Sequence, residues 1–205
     1  MGNVLLKYDP AAMLEAFGIT GDDAKLCLKA IFESPEWAAC DRGDGYREEI
    51  LEPLISALPQ NCADACRKLL YRDDLELSFM PEIPGMFELL SELKKAGYRL
   101  YLLSNVGLCY EKLYAGQRIF ALFDGLFPSS EYHLLKPDNE IYEAFYGRFK
   151  LDPSNCIFVD DSRLNCLGAE NTGMKAVCFN GCTDTVGQLK KELMKYGITT
   201  LAGNG

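Results

Sequence analysis

The chain has 205 residues, 48% hydrophobic and 25% charged, an ordinary globular composition that excludes disordered, collagen-like and coiled-coil readings. Lysine and arginine number 21 against 30 aspartates and glutamates, a formal net charge of −9, which argues against nucleic acid or an anionic membrane surface as a partner. No apolar run reaches the roughly 18 residues of a membrane span, and the start MGNVLLKYDPAAM lacks the basic and long apolar parts of a secretory signal.

The opening GNVLL is apolar and short, and Asp9 beside Pro10 reads as a helix cap. From about residue 11 to 79 the patterns are helical (AAMLEAFG, AKLCLKAIFES, YREEILEPLISAL, ADACRKLLYR) and no strand is evident. The expected division is an inserted all-helical module at 13–79, with 1–12 and 80–205 forming one α/β unit. Residues 85–97 carry Met86, Leu89, Leu90 and Leu93 at helical spacing, with Pro84 suited to the first turn and Gly97 to the stop. YRLYLLSN (98–105) reads as a strand, 138–149 as a helix capped by Asp138, and 156–161 as a second strand ending in two acids. A helix around 163–171, a strand at 175–179, a helix at 184–196 and a short strand at 198–201 complete the pattern. Alternating strands and helices predict a Rossmann-like, doubly wound parallel sheet with helices on both faces.

The nine cysteines cannot all pair internally, and zinc-finger spacing is lacking around the single histidine, His133. Reduced thiols in a cytoplasmic protein are expected, with Cys156, Cys166 and Cys178 as small buried hydrophobes. His133 is read as structural.

In an open parallel sheet, ligands bind beyond the carboxyl ends of the strands. Ser104 and Asn105 end one strand there, Asp160 and Asp161 end another, and Lys136 stands in the loop LLKPD. A hydroxyl, an ammonium and paired carboxylates at one sheet edge suit a phosphate and a divalent cation. Taken singly, Ser104-Asn105 reads as a turn and Lys136 as a solvated loop residue. Asp160 and Asp161 repel each other unless a cation or base sits between them. Their order in the chain, together with Lys136, is the more specific signal.

These residues resemble the motifs of the haloacid dehalogenase superfamily, a group of mostly Mg²⁺-dependent phosphatases. Leu102-Leu103-Ser104-Asn105 is similar to the second motif, and Lys136-Pro137-Asp138 with Ile141-Tyr142 to the third. Val159-Asp160-Asp161-Ser162, with Asn165 and Ala169, is similar to the fourth. The helical insert stands where that superfamily carries its cap domain. Trp37 and Asp41-Arg42-Gly43 resemble a stretch of caps in the sugar-phosphate phosphatase branch. Gly2-Asn3-Val4 is similar to a variant of the first motif.

The resemblance implies hydrolysis of a small phosphorylated metabolite through an aspartyl-phosphate, with Mg²⁺ as cofactor. It implies Asp161 and the Gly2 carbonyl as metal ligands, supported by Asp160. Ser104, the Asn105 N–H and Lys136 would hold the phosphate, and Lys136→Ala is expected to leave the fold intact. Trp37, Asp41, Arg42 and Arg47, with Tyr46 beside them, are the cap residues expected over the substrate. The nucleophilic aspartate of the first motif would fall directly before Met1, together with a central strand. The reading frame is therefore expected to continue upstream, and the chain as written to lack turnover. A non-catalytic phosphate- or partner-binding relative and a 2-haloacid dehalogenase are the alternatives. The expected quaternary state is a monomer or a homodimer.

Overall fold

The structure, a computed structural model, describes residues 1–200, with the backbone alone at 73 and 74. The first part is helical: α1 (Pro10–Glu15), α2 (Gly21–Cys27), a π-helical turn at Leu28–Phe32, α3 (Pro35–Arg42), α4 (Arg47–Ile50), α5 (Glu52–Ser56), α6 (Gln60–Leu70) and α7 (Asp73–Ser78). Local chemistry sets their ends. Asp9 Oδ1 accepts from the Ala12 N–H at 3.0 Å and caps α1 as expected. Ser34 Oγ accepts from the Trp37 N–H at 3.1 Å ahead of Pro35, the first residue of α3. α3 stops at Gly43, whose φ of 82° suits a residue without a side chain. α6 buries Cys62, Ala63, Ala65, Cys66, Leu69 and Leu70 along one stripe, which holds the helical part together.

The second part alternates: α8 (Met86–Lys95), β1 (Tyr101–Ser104), α9 (Tyr110–Ala115), β2 (Gly125–Pro128), α10 (Ser129–Tyr132), α11 (Asn139–Phe149), β3 (Ile157–Asp160), α12 (Arg163–Asn171), β4 (Lys175–Cys178) and α13 (Val186–Lys195). β1 runs parallel to β2, with Tyr101 opposite Gly125 and Ser104 opposite Pro128. β3 runs parallel to β4, with Ile157 opposite Lys175 and Asp160 opposite Cys178. Side chains alternate between the faces, as strand geometry requires. Leu102 and Val177 join the core under α8 and α13, while Leu103, Phe158 and Ala176 join the one under α11 and α12. Both faces are therefore covered, the arrangement expected of a doubly wound parallel fold.

Several details differ from the sequence reading. Among the described residues the strands make two separate pairs, with no ladder between β1 and β3. Each strand is shorter than predicted. At 98–100 the Asp124 carboxylate takes the Leu100 N–H at 2.8 Å, and the Asp124 N–H donates to the Leu100 carbonyl at 2.7 Å, before the ladder begins. β2 is absent from the sequence reading because only Leu126 and Phe127 separate Gly125 from Pro128. Residues 2–6 form a turn with isolated bridges. Asp138 stands at the N-cap of α11 without a side-chain cap bond. Thr185 and Gln188 instead close a full capping box on α13. Residues 198–200 carry no strand, and Leu201 lies outside the described residues. Cys166 is buried as expected, but Cys156 is only half-buried and Cys178 is exposed at the end of β4, which has a partner on one side only. No helix of the described residues is long and apolar enough to cross a membrane.

Candidate active site

Lys136 joins the two halves of the sheet. Its Nζ donates to Asp160 Oδ2 at 2.6 Å and to the Leu103 carbonyl at 3.3 Å, so the carboxyl ends of β1 and β3 meet on one ammonium. The residue is 7% exposed and Asp160 only 2%, which makes this a buried ion pair and not the solvated loop lysine of the alternative reading. Asn105 fixes the lysine backbone: its Nδ2 donates to the Lys136 carbonyl at 3.0 Å, and its Oδ1 accepts the Lys136 N–H at 2.9 Å. The other oxygen of Asp160 accepts from the Ser162 N–H at 3.0 Å and from Asn165 Nδ2 at 2.9 Å. Burial pushes the Asp160 carboxyl up, but Lys136, the Met1 amine and these hydrogen bonds outweigh it and hold the group below the usual carboxylate range. Asp160 is thus fully engaged within the protein.

Asp161 is the more open carboxylate. Its contact from another side chain is Asn3 Nδ2, at 3.3 Å from Oδ2. Asn3 has a φ of 55°, a conformation asparagine tolerates, and its Oδ1 accepts the Tyr8 N–H at 3.0 Å. This turn brings Gly2 and Met1 to the carboxyl ends of β1 and β3. The Met1 amine is buried there, and burial, with Lys136 nearby, lowers it to about 6 despite Asp160 and Asp161. Ser104 is buried at the end of β1, its hydroxyl making a long bond, 3.3 Å, to the Asn105 carbonyl. Ser104, Asn105, Lys136, Asp160, Asp161 and Gly2 therefore gather at one sheet edge.

Above this edge is a cavity of about 120 Å³, walled by Met1, Gly2, Asn105 and Val106 below and by Trp37, Asp41, Arg47 and Glu76 from the helical part. Arg47 donates to Glu76 at 2.6 Å, and its guanidinium lies 4.8 Å from the Trp37 ring centroid. Trp37 packs in turn on Phe32. The Tyr8 hydroxyl and Arg47 Nε are buried with no protein partner, so a ligand with acceptor atoms would satisfy them. Asp41 is fixed in the wall because α3 docks on α10. Ser129 Oγ donates to the Asp41 carbonyl at 2.5 Å and accepts the Val106 N–H at 2.9 Å. Gly43 approaches so closely that a Cβ there would stand 2.3 Å from the Ser130 carbonyl oxygen.

Trp37, Asp41 and Arg47 thus line the cavity, as expected, while Arg42 and Tyr46 do not. Arg42 pairs with Asp44 on the surface at 2.5 Å, because the turn at Gly43 directs it outward, and Tyr46 is 58% exposed. His133 is exposed and closes α10 with a φ of 55°. The sequence reading missed Tyr8, Glu76, Asn3 and Ser129. Only Asn3 carried a local signal, its place in Gly2-Asn3-Val4; Glu76 and Ser129 act through partners distant in the chain, and Tyr8 through a buried hydroxyl that no local pattern marks.

Burial raises the Asp41 carboxyl to about 6, with Glu76 adding to the effect and Arg47 and Lys136 partly offsetting it. A folded pKa above the unfolded one gives stability that is full at low pH and is lost as pH rises through the folded value. Asp41→Asn is therefore expected to leave stability nearly unchanged at pH 4 and to raise it by about 2 kcal/mol at pH 8. Urea unfolding at the two pH values checks this; an equal effect at both would rule out the buried charge.

Residues 17–173 match the family model of haloacid dehalogenase-like hydrolases. The chain belongs to this family. Flavin mononucleotide hydrolase 1 of Arabidopsis thaliana is 29% identical over 116 residues, covering 57% of this chain and 46% of that protein. Pyrophosphatase PpaX of Bacillus velezensis is 28% identical over 149 residues, covering 65% and 66%. The chain spans about half the length of several curated relatives it matches. Among solved structures, a family enzyme of Bacteroides thetaiotaomicron, in complex with magnesium and inorganic phosphate, superposes with a TM-score of 0.62 at 23% identity, covering 92% of this chain and 95% of that one. That likeness establishes the fold.

Proposed function

We propose that the site serves Mg²⁺-dependent hydrolysis of a small phosphate monoester, of sugar-phosphate size, through an aspartyl-phosphate. The observation that carries the reading is the buried Lys136, held between the Leu103 carbonyl and Asp160 beside Ser104 and the open carboxylate of Asp161. Ser104, the Asn105 N–H and Lys136 would hold the phosphoryl oxygens. Asp161 and the Gly2 carbonyl offer the hard oxygen donors that Mg²⁺ favours, with positions left for water and phosphate. When bound, the ion would offset charge on the phosphoryl group. Asp160 acts on the lysine, holding it in place. Asp41, with a pKa of about 6, is protonated in part near neutrality and is the acid we assign to the leaving group.

No residue of the chain is assigned as nucleophile. A haloacid dehalogenase reading is weaker, because such chemistry needs no cation and this chain keeps both acids.

Asp161→Asn is expected to weaken Mg²⁺ binding roughly tenfold or more, and by more than Asp160→Asn does. Calorimetric titration of Mg²⁺ into the two variants measures it. The reverse order would remove Asp161 from the metal site.

A further inference from the structure

The cap side of the active-site cavity has a charge balance of its own. Among the described residues its charged side chains are Arg47 of α4, Glu76 of α7 and Asp41 of α3, one cation against two carboxylates. Arg47 and Glu76 form a buried pair, with side chains 12% and 11% exposed and a bond of 2.6 Å from Nη1 to Oε2. The guanidinium charge is therefore balanced within the protein. Two polar atoms on the same wall have no protein partner, Arg47 Nε and the Tyr8 hydroxyl. Burial, with Glu76 nearby, pushes the Tyr8 phenol far above its ordinary range, so it stays a neutral hydroxyl. Leu77, Met80 and Leu113 supply the apolar part of the wall. An occupant has to bring an acceptor to Arg47 Nε and a partner to the Tyr8 hydroxyl, because buried polar groups left unpaired are costly. A hydroxyl meets either demand, since its oxygen accepts and its proton donates. A carboxylate or a second phosphate also accepts. It would, however, give up its water against a wall that carries no excess of positive charge, a cost that a fully paired arginine does not offset. A purely hydrocarbon tail suits Leu77, Met80 and Leu113 but leaves both polar atoms unpaired.

Resting on the phosphomonoester reading of the site, we propose that Glu76 determines specificity: by occupying Arg47 it selects esters whose alcohol part is neutral and bears hydroxyls, and excludes those whose alcohol part carries a carboxylate or a second phosphate. Glycerol 3-phosphate, propyl phosphate and 3-phosphoglycerate share a three-carbon tail and differ only in its hydroxyls and charge. Calorimetric titration of each into the chain with Mg²⁺ present, and of inorganic phosphate as reference, gives the Kd, or KM where an ester turns over. Glycerol 3-phosphate is expected to bind roughly tenfold tighter than propyl phosphate, the scale of one hydrogen bond to a buried group. It should exceed 3-phosphoglycerate by about tenfold or more. Tyr8→Phe should bring glycerol 3-phosphate to within about threefold of propyl phosphate and leave inorganic phosphate unchanged, which a general loosening of the site would not do. Glu76→Gln frees the Arg47 charge and should improve 3-phosphoglycerate roughly tenfold, with little change for glycerol 3-phosphate. The comparison within the parent and Tyr8→Phe decides even if the loss of a buried charge unfolds Glu76→Gln. In the parent, 3-phosphoglycerate or propyl phosphate binding as tightly as glycerol 3-phosphate would overturn the proposal, and a response to inorganic phosphate would leave the phosphatase reading standing. A folded Glu76→Gln with no gain for 3-phosphoglycerate would take Glu76 out of specificity. A chain that binds none of the four, phosphate included, would overturn both readings.

Discussion

Lys136→Ala is expected to destabilise the protein by about 3–5 kcal/mol, the cost of leaving a buried charge without its partner. The sequence reading expects this change to spare the fold; the burial of the ammonium argues for a large cost in stability instead. The ammonium is held by Asp160 and the Leu103 carbonyl, and it bridges the ends of two strands that share no ladder. A loss of that size is a large part of the roughly 5–15 kcal/mol that holds a domain together. Its pH dependence follows from Asp160. In the parent, that carboxyl is held below its ordinary range, so the pair's contribution is present above the unfolded pKa and lost as pH falls through the folded one. In the variant, Asp160 takes up a proton readily, so the difference between the proteins should shrink toward low pH. Asp160→Asn keeps an acceptor for the Ser162 N–H and Asn165 Nδ2 while removing the charge. The double variant Lys136→Met with Asp160→Asn should therefore be more stable than Lys136→Ala alone. Urea unfolding from pH 4 to 8 measures all three; a Lys136→Ala cost within about 0.5 kcal/mol would return the residue to the class of ordinary surface side chains.

What was legible in the sequence is what depends on near neighbours. Met86, Leu89, Leu90 and Leu93 are all buried on one face of α8, as their spacing predicts. Asp160 ends β3 and Asp161 follows it, and the two diverge in environment, one toward Lys136 and one toward Asn3. Asp41 could be named for the cavity because of the family resemblance around α3. The missed features rest on partners far along the chain. Glu76 meets Arg47 29 residues away and so takes up the charge that a substrate anion was expected to find. Asn105 reaches the Lys136 backbone 31 residues on, so its side chain is structural even where its N–H is proposed for phosphate. Ser129 ties Asp41 to the sheet edge across 88 residues. The ends of β1 were misplaced because the Asp124 side chain takes the place of a neighbouring strand at Leu100.

Asp41→Asn is expected to change the leaving-group dependence of the proposed hydrolysis. Asp41 lines the cavity above the sheet edge with Trp37 and Arg47, and burial raises its carboxyl to about 6, so that part of it carries a proton near neutrality. An alkyl phosphate departs as an alkoxide that needs a proton, whereas p-nitrophenyl phosphate departs as a phenolate that does not. The variant should therefore slow the alkyl ester by a factor on the order of 10²–10⁴, the usual range for a positioned acid, and p-nitrophenyl phosphate far less. In the parent, the acid-dependent rate should fall as pH rises through about 6, where Asp41 gives up its proton. Steady-state rates on the two esters from pH 5 to 8 measure both effects; equal slowing of the two esters would take Asp41 out of the proton transfer.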